Sequence, residues 1–271
     1  MKKTNTILLL SAALASYASA ALTLQHYYGF ESSGVGTDSV AGQDFTVTGI
    51  TSTTGGVYGN YGAVSNAAGN NATGADWSTT LGANTTTSGT SYAIGFYVRS
   101  AGNNGTSNFT LNTHSTGQSL VFTISSSAGG ATNGDVYAAT INGQFWIGNY
   151  NGNNEAASPG GNNTPILVDP NQWQQLVVIS DERVGVNTHR YFIDGTFIGQ
   201  TASEAGTTFG NASIGAGTAP FDMDDLRVYS YDPANDSEAD VLNAFATAVP
   251  EPSSTALIGL AGLAFILRRR R

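Results

Sequence analysis

The stretch Tyr191-Phe192-Ile193-Asp194-Gly195-Thr196-Phe197-Ile198 decides how the middle of this chain is read. Two apolar runs flank Asp-Gly, a dipeptide that readily accepts the positive φ angles of a two-residue hairpin turn. The spacing predicts two antiparallel strands joined by a tight connection. Comparable runs lie at Tyr92 to Val98, Leu120 to Ile124, Gln144 to Ile147, Leu176 to Ile179 and Leu226 to Tyr229. Each is short, alternating and bounded by Gly, Asn, Ser or Thr, which is the pattern of an all-β sandwich or barrel. One helix is expected near the end. Ser237 caps it, Asp240 sits at its third position near the positive end of the dipole, and Val241, Leu242 and Phe245 share one face.

No boundary divides residues 21–246, and no repeat stands out. The stretches Gly55 to Gly74, Gly102 to Asn108 and Asn151 to Asn163 read as long Gly/Asn/Thr-rich loops. A single domain of this size buries enough surface to need neither metal nor disulfide for stability. The 271 residues include no cysteine, so a disulfide scaffold and thiol catalysis are both excluded. Between residues 21 and 250 the only basic side chains are Arg99, Arg183, Arg190 and Arg227, against eighteen acidic ones. That segment therefore carries a net charge of −14. Such a surface repels phosphate backbones and anionic lipid, so the reading includes no nucleic-acid partner.

The two ends carry the remaining basic residues. Lys2 and Lys3, the apolar run Ile7 to Ala15 and the small-residue site Ala18-Ser19-Ala20 form the three parts of a secretory signal peptide spanning residues 1–20. At the other end Val249-Pro250-Glu251-Pro252-Ser253 is followed by an apolar run, Ala256 to Leu267, and then by Arg268 to Arg271. The apolar run is short for a bilayer span unless Ser253 to Thr255 join it and the arginines snorkel. The positive-inside rule keeps the arginines in the cytoplasm.

Residues 249–271 resemble a PEP-CTERM sorting signal in the order of their three parts: Pro-Glu-Pro, apolar transmembrane helix, Arg cluster. The resemblance implies recognition by an exosortase-type membrane enzyme, with Pro250, Glu251 and Pro252 in the processing motif. It also implies removal of the tail and delivery to the cell envelope, surface or an exopolysaccharide matrix. A plain C-terminal membrane anchor is the alternative, although an anchor does not require a Pro-Glu-Pro ahead of it.

Residues 21–248 resemble the laminin-G-like, concanavalin A-like jelly-roll domains of bacterial surface proteins. The matching segments are Asn171-Gln172-Trp173-Gln174-Gln175-Leu176-Val177-Val178, the Asp194-Gly195 hairpin, and Ile214-Gly215 followed by Met223-Asp224-Asp225-Leu226-Arg227-Val228-Tyr229. Ser237-Glu238 then opens the last helix. Tyr28-Gly29-Phe30-Glu31 and Ala93-Ile94-Gly95-Phe96-Tyr97-Val98 carry the first half. The hydrophobic residue usual before that helix is replaced by Ala234-Asn235-Asp236, so this corner is expected to be built differently. The implied fold is a two-sheet antiparallel jelly-roll sandwich with one short C-terminal helix.

Retaining β-glucanases of the same superfamily carry Glu-x-Asp-x-x-Glu on one strand, with nucleophile and acid about 5 Å apart. The nearest match is Asp222-Met223-Asp224-Asp225-Leu226-Arg227, and its last position is a guanidinium that stays charged and cannot protonate a leaving group. His26, His114 and His189 lie in no nucleophile or zinc motif and read as strand or surface histidines. The reading is therefore non-catalytic, with no certain cofactor.

Asp222, Asp224 and Asp225, with Asp38 and Asp44, are hard oxygen donors of the kind calcium takes. The simpler reading is that Asp224 and Asp225 satisfy backbone donors. Tyr58, Tyr61, Trp77 and Tyr150 lie among Gly and Asn and read as a glycan-stacking set, whereas Trp146 and Trp173 alternate with apolar residues and read as core. The expectation is an exported, exosortase-sorted module that associates with glycan. A structural spacer without a specific ligand and a divergent glycoside hydrolase are the alternatives.

Overall fold

The computed structural model describes residues 22–64, 71–81, 91–100, 108–114, 121–125, 144–145, 148–149, 155–156, 166–167, 172–181, 188–202, 209–216 and 221–249. In chain order the first strands are β1 (Thr23–Tyr28), β2 (Thr46–Thr48), β3 (Ile50–Thr54), β4 (Asn60–Val64) and β5 (Asn71–Asp76). A one-turn helix, α1 (Ser78–Leu81), leads to β6 (Tyr92–Ser100), β7 (Asn108–His114) and β8 (Val121–Ser125). Short strands β9 (Gln144–Phe145), β10 (Gly148–Asn149), β11 (Glu155–Ala156) and β12 (Ile166–Leu167) follow. The chain closes with β13 (Gln174–Asp181), β14 (Thr188–Ile193), β15 (Thr196–Ala202), β16 (Phe209–Ala216), β17 (Phe221–Ser230) and α2 (Glu238–Ala246).

An eight-stranded antiparallel sheet runs β15-β14-β13-β6-β17-β4-β3, with β1 also paired to β17. A five-stranded sheet, β2-β5-β16-β7-β8, packs against it. Strand alternation explains the core between them. On β6 the side chains of Tyr92, Ile94, Phe96 and Val98 point inward. They meet Leu176 and Val178 of β13, Tyr191 and Ile193 of β14, and Ala72, Ala75, Ala212 and Ile214 of the smaller sheet. Small alanines on one sheet opposite aromatics on the other let the two layers approach. The result is a mostly β, sandwich-like molecule with one helix longer than a single turn among the described residues.

The hairpin behaves as its sequence dictates. Asp194 and Gly195 take φ angles of 47° and 74°, and Ile193 pairs with Thr196 across the turn. The turn is also tied to its neighbour strand: the Gln175 amide donates to Asp194 Oδ1 at 2.8 Å, and the Asp194 amide donates to the Gln175 carbonyl at 2.9 Å.

The central strand β17 is divided. Its first half pairs with β4 and its second half with β1, while β6 runs along the other side. A bulge separates the halves between Asp224 and Arg227, with Asp225 at φ 57°, a left-handed conformation that aspartate tolerates better than most residues. The extra residue keeps Met223 and Leu226 both in the core. As a consequence Asp222, Asp224 and Arg227 all face outward.

The outer face of the large sheet carries α2. Val241 and Phe245 of the helix pack on Ala93, Val177, Ile179, Phe192 and Tyr229. Gly95 is the seat of the Phe245 ring: a Cβ built there would lie 2.6 Å from two ring carbons. The expected cap is present as a full capping box, with Ser237 Oγ accepting from the Asp240 amide and Asp240 accepting from the Ser237 amide. The corner before the helix is polar, as its sequence implies. Asp232 and Asp236 bond each other's backbone, and Asp232 also accepts from the Ala234 amide and from Asn235 Nδ2.

Candidate functional site

Three strands of the large sheet bring a group of partly buried side chains together at one end of its outer face. Arg99 on β6 stands opposite Asp222 on β17, and its Nε and Nη2 both donate to Asp222 Oδ2, at 2.9 and 2.7 Å. The guanidinium also lies 4.6 Å from the ring centroid of Trp173 and 5.1 Å from that of Tyr61. Those two rings meet edge to face at 5.3 Å. Burial raises the Asp222 carboxyl above its ordinary range, against the pull of Arg99. The ion pair is shallow, with the Arg99 side chain 27% exposed and that of Asp222 9%. The group offers aromatic surface, an indole N–H, a phenolic hydroxyl, a guanidinium and a carboxylate within one patch.

Further along the same face the polar groups are deeply buried. Asp224 Oδ2 accepts from the amides of Val57 and Tyr58, at 2.6 and 3.2 Å, and so anchors the turn between β3 and β4. Burial pushes its carboxyl up to about 6, with those amides working the other way and the Glu31 charge adding to the rise. Arg227 is wholly buried. Its Nε donates to Asp225 Oδ1 at 3.0 Å and its Nη2 lies 2.5 Å from Asp225 Oδ2. Burial raises the Asp225 carboxyl and the Arg227 charge opposes that rise. Tyr58 lies over this pair, with its ring 5.7 Å from the guanidinium and edge-on to Tyr97 at 5.7 Å.

A third network sits on the inner side. His26 is buried, with Nδ1 2.7 Å from Asp38 Oδ2 and Nε2 2.5 Å from Thr80 Oγ1. Asp38 further accepts from the amides of Tyr27, Val40 and Gln43. Burial works to raise the Asp38 carboxyl, but the His26 and backbone hydrogen bonds outweigh it and hold the group below its ordinary range. The hydroxyl, imidazole and carboxylate are ordered like a hydrolytic triad, yet they link β1, the following loop and α1 within the core. His26 is stacked 5.5 Å from the Trp77 ring.

The expected site residues are thus distributed. Tyr61 lies in the outer patch. Tyr58 is half-buried as a cover over Arg227. Trp77 is not a surface platform: it is fully buried, its indole donates to the Tyr28 hydroxyl at 3.0 Å, and Phe45 packs on its ring. The local cause is α1, whose first turn starts at the Trp77 carbonyl and directs the indole inward. Asp222, Asp224 and Asp225 each have a different partner, and Asp44 accepts from the Asp38 amide. Among the described residues no three His, Asp or Glu side chains are grouped to hold a metal ion. Tyr150, Trp146, Ala18, Ala20, Pro250, Glu251 and Pro252, with both terminal segments, lie outside the described residues. No helix among the described residues is long and apolar enough to cross a membrane.

Arg99 and Trp173 were missed as site residues, Trp173 having been expected in the core. Parity carried the signal. Leu176 and Val178 point inward, so Trp173 and Gln175 fall on the outer face. Arg99 likewise shares the face of Ala93, Gly95 and Tyr97.

Residues 248–271 match the PEP-CTERM protein-sorting motif. This motif implies an exported protein, processed by an exosortase and delivered to the cell envelope or surface. No curated protein matches the chain in sequence. In structure the chain is similar to the binding domain of botulinum neurotoxin serotype D, with TM-score 0.52 and 9% identity over 82% of this chain and 50% of that one. It is similar also to the binding domain of Paraclostridial mosquitocidal protein 1, with TM-score 0.52 and 11% identity over 82% and 52%. The chain therefore spans about half the length of these toxin domains, and the likeness is one of fold. Domain 4 of an extracellular arabinanase from Geobacillus stearothermophilus, solved with arabinotriose, matches at TM-score 0.49 and 16% identity over 79% of this chain and 97% of that one, too distant to carry an argument.

Proposed function

We propose that this chain is an exported, non-catalytic glycan-associating module: a laminin-G-like jelly-roll sandwich over residues 21–248 that its PEP-CTERM tail delivers to the envelope or an extracellular polysaccharide matrix. One observation carries the glycan reading. The Arg99 guanidinium is fixed by Asp222 and lies against both Trp173 and Tyr61 in a partly buried patch. Ligand sites join apolar, largely aromatic surface to a few oriented polar groups. A sugar ring presents one face of C–H groups and an edge of hydroxyls, so it matches both halves of this patch.

The bulge on β17 supports the non-catalytic part of the reading. It brings position 227 to the same face as Asp222 and Asp224, where a retaining hydrolase would hold its acid. That position is occupied by a buried guanidinium engaged with Asp225 and with backbone carbonyls.

The test is migration of the purified protein through native gels containing single polysaccharides, with calcium and with chelator. We expect retardation by at least one neutral polysaccharide, abolished by Trp173→Ala and by Tyr61→Ala. Unchanged migration on every polysaccharide, including the producing cell's own matrix, would favour the structural-spacer reading. Loss of retardation with chelator alone would bring a cation into the site. Release of shorter sugars would restore the hydrolase reading.

A further inference from the structure

The last turn of α2 ends without a glycine in the left-handed conformation; its C-cap, Thr247, is extended. The final carbonyls of a helix lack partners within it and must find them elsewhere. Here the sheet supplies them. Arg227 Nη1 donates to the carbonyls of Ala244 at 2.9 Å and Thr247 at 2.5 Å, and stands 3.5 Å from that of Phe245. Gln175 Nε2 donates to the Phe245 carbonyl at 2.8 Å and to the Tyr97 hydroxyl at 2.9 Å. The Tyr58 hydroxyl lies 3.5 Å from the Ala246 carbonyl. Four consecutive carbonyls, 244 to 247, thus face side chains from β17, β13 and the turn between β3 and β4. A guanidinium near the negative end of the helix dipole also has the favourable sign.

The sorting motif begins at residue 248, the position after the last clamped carbonyl. Three residue steps separate Thr247 from Pro250, a reach of at most roughly 10 Å in a fully extended chain. Eight residues, 248 to 255, precede the apolar run and reach at most roughly 28 Å. An enzyme acting on Pro250-Glu251-Pro252 must fit between the membrane and the outer face of the large sheet.

We infer that the Arg227–Gln175 clamp fixes the exit point of the tail, so that the sorting enzyme engages the tail and the adjoining outer face of the sandwich as one composite surface. The inference rests on the sorting reading proposed above. The part of the face nearest the exit carries Tyr58, Tyr97 and the β3–β4 turn, and the partner that fits it is the extracytoplasmic side of the membrane-embedded sorting enzyme. The −14 charge of the segment carrying the sandwich opposes its settling on anionic lipid.

The experiment uses the full chain in cells that hold its sorting enzyme, with tail removal followed by the change in mass after a pulse of synthesis. A flexible Gly/Ser segment of about twelve residues between Thr247 and Ala248 leaves both partners intact but dissolves their fixed geometry. We expect processing to slow roughly tenfold, the −3/2-power dilution on lengthening a three-residue tether to fifteen. Tyr58→Phe, which keeps the ring and removes the hydroxyl beside Ala246, is expected to slow it by less than the insertion does. Processing of the insertion variant at the wild-type rate or faster would overturn the composite surface. The double variant Pro250→Ala/Glu251→Ala separates the two ideas: if it too is processed normally, the sorting reading fails and this inference with it.

Discussion

The molecule contains two buried charge networks that were solved in opposite ways. The inner one, His26–Asp38–Thr80, is centred on Asp38, which collects three backbone amides and one imidazole from residues within twelve positions of itself, with Thr80 joining through His26. The outer one, Asp224–Asp225–Arg227, joins separate elements: Asp224 holds the turn at residues 57–58, 167 positions back at Val57, and Arg227 holds the end of α2 to the sheet. The inner network completes a hydrophobic core that would exist without it. The outer network holds backbone groups of both the β3–β4 turn and the end of α2, so its removal frees groups on more than one element.

The comparison fails most visibly if Arg227 can be removed cheaply. Arg227→Ala strands the Asp225 carboxylate in the interior and frees the carbonyls at the end of α2. Breaking a buried pair in this way costs about 3–5 kcal/mol. Chemical denaturation of the purified domain should show that loss. Asp38→Ala should cost less, on the order of 2–3 kcal/mol, since His26 keeps Thr80 and the freed amides near Val40 and Gln43 lie close to solvent. A loss for Asp38→Ala equal to or greater than that for Arg227→Ala would reverse the ranking of the two networks.

The seat of α2 gives a sharper probe. Gly95→Ala places a methyl against the Phe245 ring and should cost about 1–3 kcal/mol by overpacking, measured in the same way. Phe245→Leu in that background should recover part of the loss, because the smaller side chain makes room.

The smallest expected effect is with pH. Asp224 has its carboxyl raised to about 6 in the folded protein, against an ordinary value of 3.8. The folded state therefore binds the proton more tightly, and stability must fall as pH rises from about 4 to about 6. Burial raises the neighbouring Asp225 carboxyl to about 6 against the pull of Arg227, and it adds to the same fall. The melting temperature should be a few degrees higher at pH 5 than at pH 7.5. The inner network has the opposite sign: Asp38 is held low, so stability is lost again as pH drops below its ordinary range. Asp225 is raised to about 6 as well, so Asp224→Asn should shrink the upper limb without abolishing it and leave the lower one. An upper limb of unchanged size in that variant would remove Asp224 as a contributor.

Much of the fold was legible because it is local. The Asp194-Gly195 turn, the alternation on β6 and β13, and the Ser237 cap with Asp240 each depend on residues within a short window, and each is found where the sequence places it. The candidate site was less legible. Tyr61 was identified from its loop composition, but Arg99 and Trp173 join it only through pairing of β6, β13, β17 and β4, which composition does not encode. Trp77 misled for the converse reason. It lies among Gly, Asn and Thr, residues that suggest a surface loop, while the unforeseen turn α1 carries the indole into the core. The bulge at Asp225 was also invisible, since a run of two aspartates does not reveal which one takes φ 57°.

The clamp at the end of α2 reads main-chain oxygens and no side chain of the residues it holds. Ala244 and Ala246 could change identity without altering a single donor on the sheet. The junction between sandwich and tail therefore fixes position without reading sequence, and the residues it holds can drift while the exit point stays where it is.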